Sequence, residues 1–306
     1  MINSVAIIGL GAVGAVVGRQ LEKVLGSQLY CVVDEERKAR YEKNGIYING
    51  EKINFNYVTP ENLPQTDLVI IATKNLQLQE ALVAIKNAVG PQTMILSLLN
   101  GIQSESEITE LYGAEKTLYG FIINLDSLNL SGKITCTTTG DVVFGEKSNE
   151  KTPRIQSVAE LFEKAGVNYK IPENIRFEMW KKFLINTTFN SLGAITRSTY
   201  GGFNFEVMQD LARKVGREVI AVANAEGIPL TKQMLEDDIK MTAGYNPVGK
   251  CSMLQDMEAE RLTENDYFCG TVVRLGAKHN ISTPYCQFLG QLLEGTEKVR
   301  QIRGKK

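Results

Sequence analysis

The segment Ser4-Val5-Ala6-Ile7-Ile8-Gly9-Leu10-Gly11-Ala12-Val13-Gly14 constrains the fold of this chain more than any other stretch. A short apolar run ends in G-x-G-x-x-G, and helical character from Ala15 to Leu25 follows at once. In that setting the first glycine permits a tight turn, the second lets backbone approach a pyrophosphate, and the third lets helix and strand pack closely. The helix N-terminus then offers N–H groups to phosphates. A second apolar strand, Leu29-Tyr30-Cys31-Val32-Val33, ends in Asp34, 20 positions after Gly14, where an acidic residue commonly binds the ribose hydroxyls of an adenosine. The candidate cofactor-binding residues are therefore Gly9, Leu10, Gly11, Ala12, Val13, Gly14 and Asp34. A glycine-rich turn without a ligand is the competing reading.

The alternation of apolar runs and amphipathic stretches continues to about Asn174. Further strands are expected over residues 68–72, 94–98, 118–123, 142–144 and 167–169, with helices over 76–88, 105–112 and 154–165. Such alternation indicates an α/β fold with a parallel sheet, whose ligands gather at the carboxyl ends of the strands. Thr73-Lys74-Asn75 and Asn100-Gly101-Ile102-Gln103 occupy two such ends. After Pro172 strand signals thin out, and helical periods dominate, notably over 205–226 and 284–301. A domain boundary near Asn174 divides an α/β region, 1–174, from an all-α region, 175–306.

The first helix of that second region carries Lys182, Asn186 and Asn190 at i, i+4 and i+8 among Phe183, Leu184, Ile185 and Phe189. Residues four apart share a helix face, so one ammonium and two carboxamides project together from an apolar helix and need partners. Contact with solvent or with a neighbouring loop is the alternative reading. A later cluster, Cys251-Ser252-Met253-Leu254-Gln255-Asp256 followed by Arg261-Leu262-Thr263-Glu264, brings Ser252, Gln255 and Asp256 near one another, with a solvated acidic face as the alternative.

Composition narrows the chemistry. A formal net charge of -1 over 306 residues gives no support for a nucleic-acid partner, and only the tail from Arg300 to Lys306 is locally basic. Five scattered cysteines without a C-x-x-C pair argue for reduced thiols in a cytoplasm and against a zinc site. No run reaches membrane-spanning length, and the N-terminus lacks the basic and apolar regions of a signal peptide. The single histidine, His279, is expected to be structural or exposed, so a lysine or carboxylate is the proton carrier to seek.

Together these motifs resemble the ketopantoate reductases (2-dehydropantoate 2-reductases) over essentially the whole chain. The resemblance rests on Gly9-x-Gly11-Ala12-x-Gly14, Lys74, Asn100-Gly101, Trp180-x-Lys182-x-x-x-Asn186-x-x-x-Asn190, and Ser252-Met253-Leu254-Gln255-Asp256 with Thr263-Glu264. It implies an N-terminal Rossmann domain, a helical C-terminal substrate domain with a cleft between them, and NADPH-dependent reduction of 2-dehydropantoate to pantoate in pantothenate synthesis. By the same resemblance Lys182 is the general acid and Glu264 a catalytic or substrate-hydroxyl residue that also neighbours the cofactor. Asn100, Asn186, Asn190 and Ser252 contact substrate, while Lys74 and Asn100 lie toward the nicotinamide. One departure is Asp34, where family members commonly carry an arginine suited to the 2′-phosphate of NADP. An aspartate there favours NAD, yet Arg37, Lys38 and Arg40 follow it within two helical turns and can turn toward a phosphate, so NADP(H) is the cofactor expected from the family, with NAD(H) as the alternative that Asp34 raises. The expected partners are a small 2-keto acid and a second copy of the chain in a homodimer, with no nucleic acid and no membrane. A reductase of another branched 2-keto acid and a catalytically silent nucleotide-binding regulator are the competing functions.

Overall fold

A computed structural model describes residues 1–130 and 132–303; Gly304, Lys305 and Lys306 of the basic tail lie outside the described residues. The chain divides into two compact units, Met1–Arg176 and Phe177–Lys306.

The first unit is built on β1 (Val5–Ile8), β2 (Leu29–Val32), β3 (Ile46–Ile48), β4 (Glu51–Ile53), β5 (Asn56–Val58), β6 (Thr66–Ile71), β7 (Val89–Ser97), β8 (Thr117–Leu130), β9 (Lys133–Gly145) and β10 (Tyr169–Lys170). They form one sheet in the order β4-β3-β9-β8-β7-β6-β1-β2-β5, with β10 added to β9. From β8 through β7, β6, β1 and β2 to β5 the pairing is parallel. Its helices are α1 (Ala12–Leu25), α2 (Glu35–Asn44), α3 (Leu78–Ala84), α4 (Ser104–Tyr112) and α5 (Pro153–Ala165).

Both faces of the central strands are covered. Val5 and Ile7 pack with Val16 and Leu21 of α1 and Phe162 of α5, whereas Ala6 and Ile8 pack with Leu78 and Leu82 of α3 and Ile108 of α4. A strand buried on both sides has no polar face, which is why β1, β2 and residues 68–71 of β6 read as apolar runs. β1 lies between β2 and β6, so the chain winds outward from it in both directions and leaves a crevice at the strands' carboxyl ends.

The expected strands over 118–123 and 142–144 extend into a long antiparallel hairpin, β8 with β9, paired from Tyr119 opposite Gly145 to Leu130 opposite Lys133. Its outer half alternates, with Ile134 and Cys136 buried and Thr135 and Thr137 exposed, a half-buried pattern that carries no continuous apolar run. The expected helix over 76–88 is interrupted: 3₁₀ turns at Asn75–Gln77 and Lys86–Ala88 flank the shorter α3. The strands β3, β4 and β5, three residues each, are too short to show a period.

The second unit is helical, with no strand among its described residues. It begins within α6 (Ile175–Ile185) and continues through α7 (Ser191–Thr196), α8 (Glu206–Ala225), α9 (Lys232–Ala243), α10 (Ser252–Glu258), α11 (Thr271–Lys278) and α12 (Pro284–Arg303). Aromatic rings knit its core: Trp180 meets Phe183 edge-on at 5.4 Å, Phe183 reaches Phe268 at 6.3 Å, and Phe189 meets Phe203 at 5.2 Å. Such pairs each add roughly 1 kcal/mol beyond their buried area.

Candidate active site

Parallel register brings the first unit's polar groups to one edge of its sheet. Ile8 lies opposite Val32 and Ile71, and Ile71 opposite Ser97, so the Gly9, Asp34, Thr73 and Asn100 loops all leave at the same level. Gly9 has φ +97, and an added Cβ would stand 2.5 Å from the backbone of Ala72 and Thr73. Gly14 is tighter, because a Cβ there would lie 2.0 Å from the Gly9 carbonyl oxygen. At Gly11, by contrast, an added Cβ meets nothing within 4 Å. Gly11 is the N-cap of α1 and supplies no side-chain cap to that helix. The open space, the uncapped helix N-terminus and the buried, unpartnered Thr73 Oγ1 beside Gly9 fit a pyrophosphate. Leu10 is buried, while Ala12 and Val13 are partly exposed in the first turn.

Asp34 stands just beyond β2 as the N-cap of α2: its Oδ1 accepts from the Arg37 N–H at 2.6 Å, and its Oδ2 lies 3.5 Å from Arg37 Nε. The carboxylate remains half exposed. Arg37 is therefore engaged with Asp34, and Arg40 stacks over the Tyr41 ring at 5.2 Å. Lys74 is exposed directly after β6. Its neighbour Asn75 is buried and donates from Nδ2 to the Asn100 carbonyl at 2.8 Å, which ties the two strand-end loops together.

The lysine and asparagines of the second unit depart from a continuous α-helix. α6 ends at Ile185, Asn186–Asn190 is a single π-turn, and α7 resumes at Ser191. The stripe survives, because Asn190 Nδ2 still donates to Asn186 Oδ1 at 3.2 Å, with both residues buried. The wider turn leaves the buried Thr187 and Thr188 hydroxyls without partners, a local cost of the kind that π-turns carry at functional sites. A second π-turn, Asp266–Gly270, follows Glu264 almost immediately.

Burial pushes the Lys182 ammonium down to about 8, and the Glu264 carboxylate opposes that shift. Lys182 and Glu264 thus interact inside one unit despite their separation in sequence. Glu264 is buried, and its flanks are pinned to α12: Thr263 donates from N–H and Oγ1 to Glu297 Oε1 at 2.8 and 2.6 Å, and Asn265 Nδ2 donates to the Gly290 carbonyl at 2.9 Å. Ser252 is exposed at the first position of α10, next to Cys251, whose Sγ lies 3.6 Å from the Asn190 carbonyl. Asp256 forms an ion pair with Arg261 at 2.8 Å, which makes it a brace for the turn before Glu264.

Glu297 and Asn75 are the positioning residues that sequence reasoning missed. Glu297 sits in an ordinary stretch of helix and nothing local marks it, whereas Asn75 belonged to a noticed polar cluster. His279 Nε2 and Lys278 Nζ both meet the Glu226 carboxylate, away from these groups in sequence. All five cysteines are free and buried.

The fold and these residues define a nicotinamide-dependent oxidoreductase on a Rossmann-type sheet. More particularly, the chain belongs to the ketopantoate reductase family: "Ketopantoate reductase PanE/ApbA" matches residues 5–149 and the C-terminal "Ketopantoate reductase PanE/ApbA" matches residues 174–297. The 2-dehydropantoate 2-reductase of Streptococcus pyogenes is 29% identical, over 98% of this chain and 99% of that protein. Among solved structures, D-mandelate dehydrogenase with NADH and anilino(oxo)acetate is 26% identical with a TM-score of 0.86, covering 97% of this chain and 98% of the other. The 2-dehydropantoate 2-reductase of Geobacter metallireducens is 27% identical with a TM-score of 0.85, covering 95% and 99%. Members of this family are oxidoreductases that act on 2-keto acids.

Proposed function

We propose that this chain reduces 2-dehydropantoate to pantoate, the reaction named for its relatives in Streptococcus pyogenes and Geobacter metallireducens and a step of pantothenate synthesis. The observation that carries the reading is the desolvated Lys182 ammonium beside Glu264. The Gly9–Gly14 turn would hold a reduced nicotinamide, whose chemistry would be hydride donation to a keto carbon, and the Lys182 Nζ would give its proton to the keto oxygen as negative charge develops there. Glu264 favours the charged lysine, so the proton is in place before the reaction. Asn186, Asn190 and Ser252 offer neutral donors for the substrate carboxylate and hydroxyl, and Asn100 is carried over as a substrate contact from the family resemblance. By the family resemblance Lys74 would lie toward the nicotinamide end of the cofactor.

For the cofactor we infer a preference for NADH over NADPH. Asp34 supports this, since its half-exposed carboxylate accepts from a free 2′-hydroxyl and repels a 2′-phosphate, and its nearest cation, Arg37, is held on it. The NADH complex of D-mandelate dehydrogenase also supports it. The same likeness favours a second reading of the substrate, another bulky 2-keto acid, because Lys182 and Glu264 serve the keto group and say little about its side chain. Steady-state rates over a panel of 2-keto acids with each cofactor decide both points. We expect the highest kcat/KM with 2-dehydropantoate and NADH; weak reduction of it beside fast reduction of benzoylformate or a branched analogue would reject the specific substrate. Free, buried cysteines support a cytoplasmic location.

A further inference from the structure

The loop of residues 98–103 that carries Asn100 is closed at its base by two buried hydroxyls. Ser97, the last residue of β7, and Ser104, the first of α4, place their Oγ atoms 2.8 Å apart. The Leu99 N–H donates to Ser97 Oγ at 3.3 Å, and Ser104 Oγ donates to Glu105 Oε2 at 3.1 Å. With Ser104 donating to the carboxylate, the Ser97 hydroxyl is left to donate to Ser104. The result is one chain of hydrogen bonds, from Leu99 through Ser97 and Ser104 to Glu105, polarised toward a negative charge.

That charge is placed where it is expensive. Glu105 is 1% exposed, and its Oε1 is buried without a hydrogen-bond partner. Desolvation pushes the carboxyl up to about 7, offset only in part by its own amide, the Ser104 hydroxyl and the Gly120 amide. Glu107 on the same helix adds a like charge, and Tyr119 on β8 feels the charges of both Glu105 and Arg176. β7 brings no titratable side chain to the cluster. A neutral side chain would fill this space at lower cost, so packing alone does not account for a glutamate here.

We propose that Glu105 is a positioning residue for the reduction: its ionised carboxylate tensions the Ser104–Ser97 chain and holds the loop that presents Asn100, and protonation slackens that loop. The proposal rests on Asn100 contacting the substrate. A charge-assisted hydrogen bond is roughly twice as strong as a neutral one, so protonation is expected to loosen the loop by about tenfold in population. The acid form dominates below neutrality, and the held form prevails as pH rises past it.

Amide exchange of Leu99, measured on the full chain without ligands at pH 6 and pH 8 and corrected for intrinsic rates, reads the loop directly. Wild type is expected to protect this amide about tenfold more at pH 8. Glu105→Gln removes the charge, and Ser104→Ala cuts the chain with the carboxylate left in place; each is expected to abolish the step, so either suffices if the other fails to fold. Kinetically, Glu105→Gln is expected to lose the acid limb of kcat/KM, with KM for the keto acid raised more than kcat is lowered. An exchange step that persists in the variants overturns the proposal. A step that the variants remove, beside an unchanged kcat/KM profile, supports the loop restraint and instead removes Asn100 from the substrate site.

Discussion

A lysine in water holds its proton to above pH 10 and is a reluctant acid at neutrality. Burial brings Lys182 down to about 8, and Glu264 restrains the fall, so the group stays charged at pH 7 yet yields its proton readily. Reduction requires the protonated form of Lys182, so kcat should decline as pH rises through about 8. Glu264→Gln takes away the charge that raises the Lys182 value, and the alkaline limb of the kcat profile should move below pH 8; a limb that stays put would separate the two residues. Losing a donor to the developing oxyanion costs about 3 kcal/mol, so Lys182→Ala should lower kcat by at least about a hundredfold with little change in NADH affinity. An unaltered kcat would end the assignment of Lys182. Residue types and four-residue spacing made Lys182, Asn186 and Asn190 legible in the sequence. The π-turn between them was not, because no local propensity marks where a helix widens by one residue.

At the scale of elements, the glycine turn separates binding from folding. Gly14 has no room for a side chain, since its Cβ would meet the Gly9 carbonyl at 2.0 Å, whereas Gly11 opens onto free space with an ordinary φ of -73. Gly11→Ser should therefore fold with thermal stability near that of wild type, because serine is a good N-cap. Its hydroxyl would claim the same first-turn N–H groups that a pyrophosphate needs, so titration calorimetry should show dinucleotide binding weakened by an order of magnitude or more. Gly14→Ala should lose stability before binding is considered; if both variants melt alike, the two glycines do not have separate roles. The strands around this turn were readable because burial on both faces leaves an apolar run. The β8–β9 hairpin was underestimated, since its outer half buries one face only and its threonines resemble a loop.

For the whole molecule, a ligand that binds only the folded chain adds RT ln(1 + [L]/Kd), about 2.7 kcal/mol at a hundred times Kd. The inferred preference thus becomes a melting experiment: at equal concentration NADH should raise Tm more than NADPH, and Asp34→Arg should invert the order. Equal shifts in wild type would place Asp34 away from the ribose. The sequence alone determined the α/β first half, the helical second half, the phosphate-binding turn and the residue types of the candidate site, because hydrophobic period, turn chemistry and helix spacing act over a few neighbouring residues. Only the tertiary structure decided how far burial lowers Lys182 against the Glu264 carboxylate, that Glu297 pins the flank of Glu264 and that Asn75 and Glu105 are tied to the Asn100 loop. Those are matters of desolvation and of contact between distant segments. A side chain's proton affinity is set by what surrounds it after folding, and no short stretch of chain carries that information.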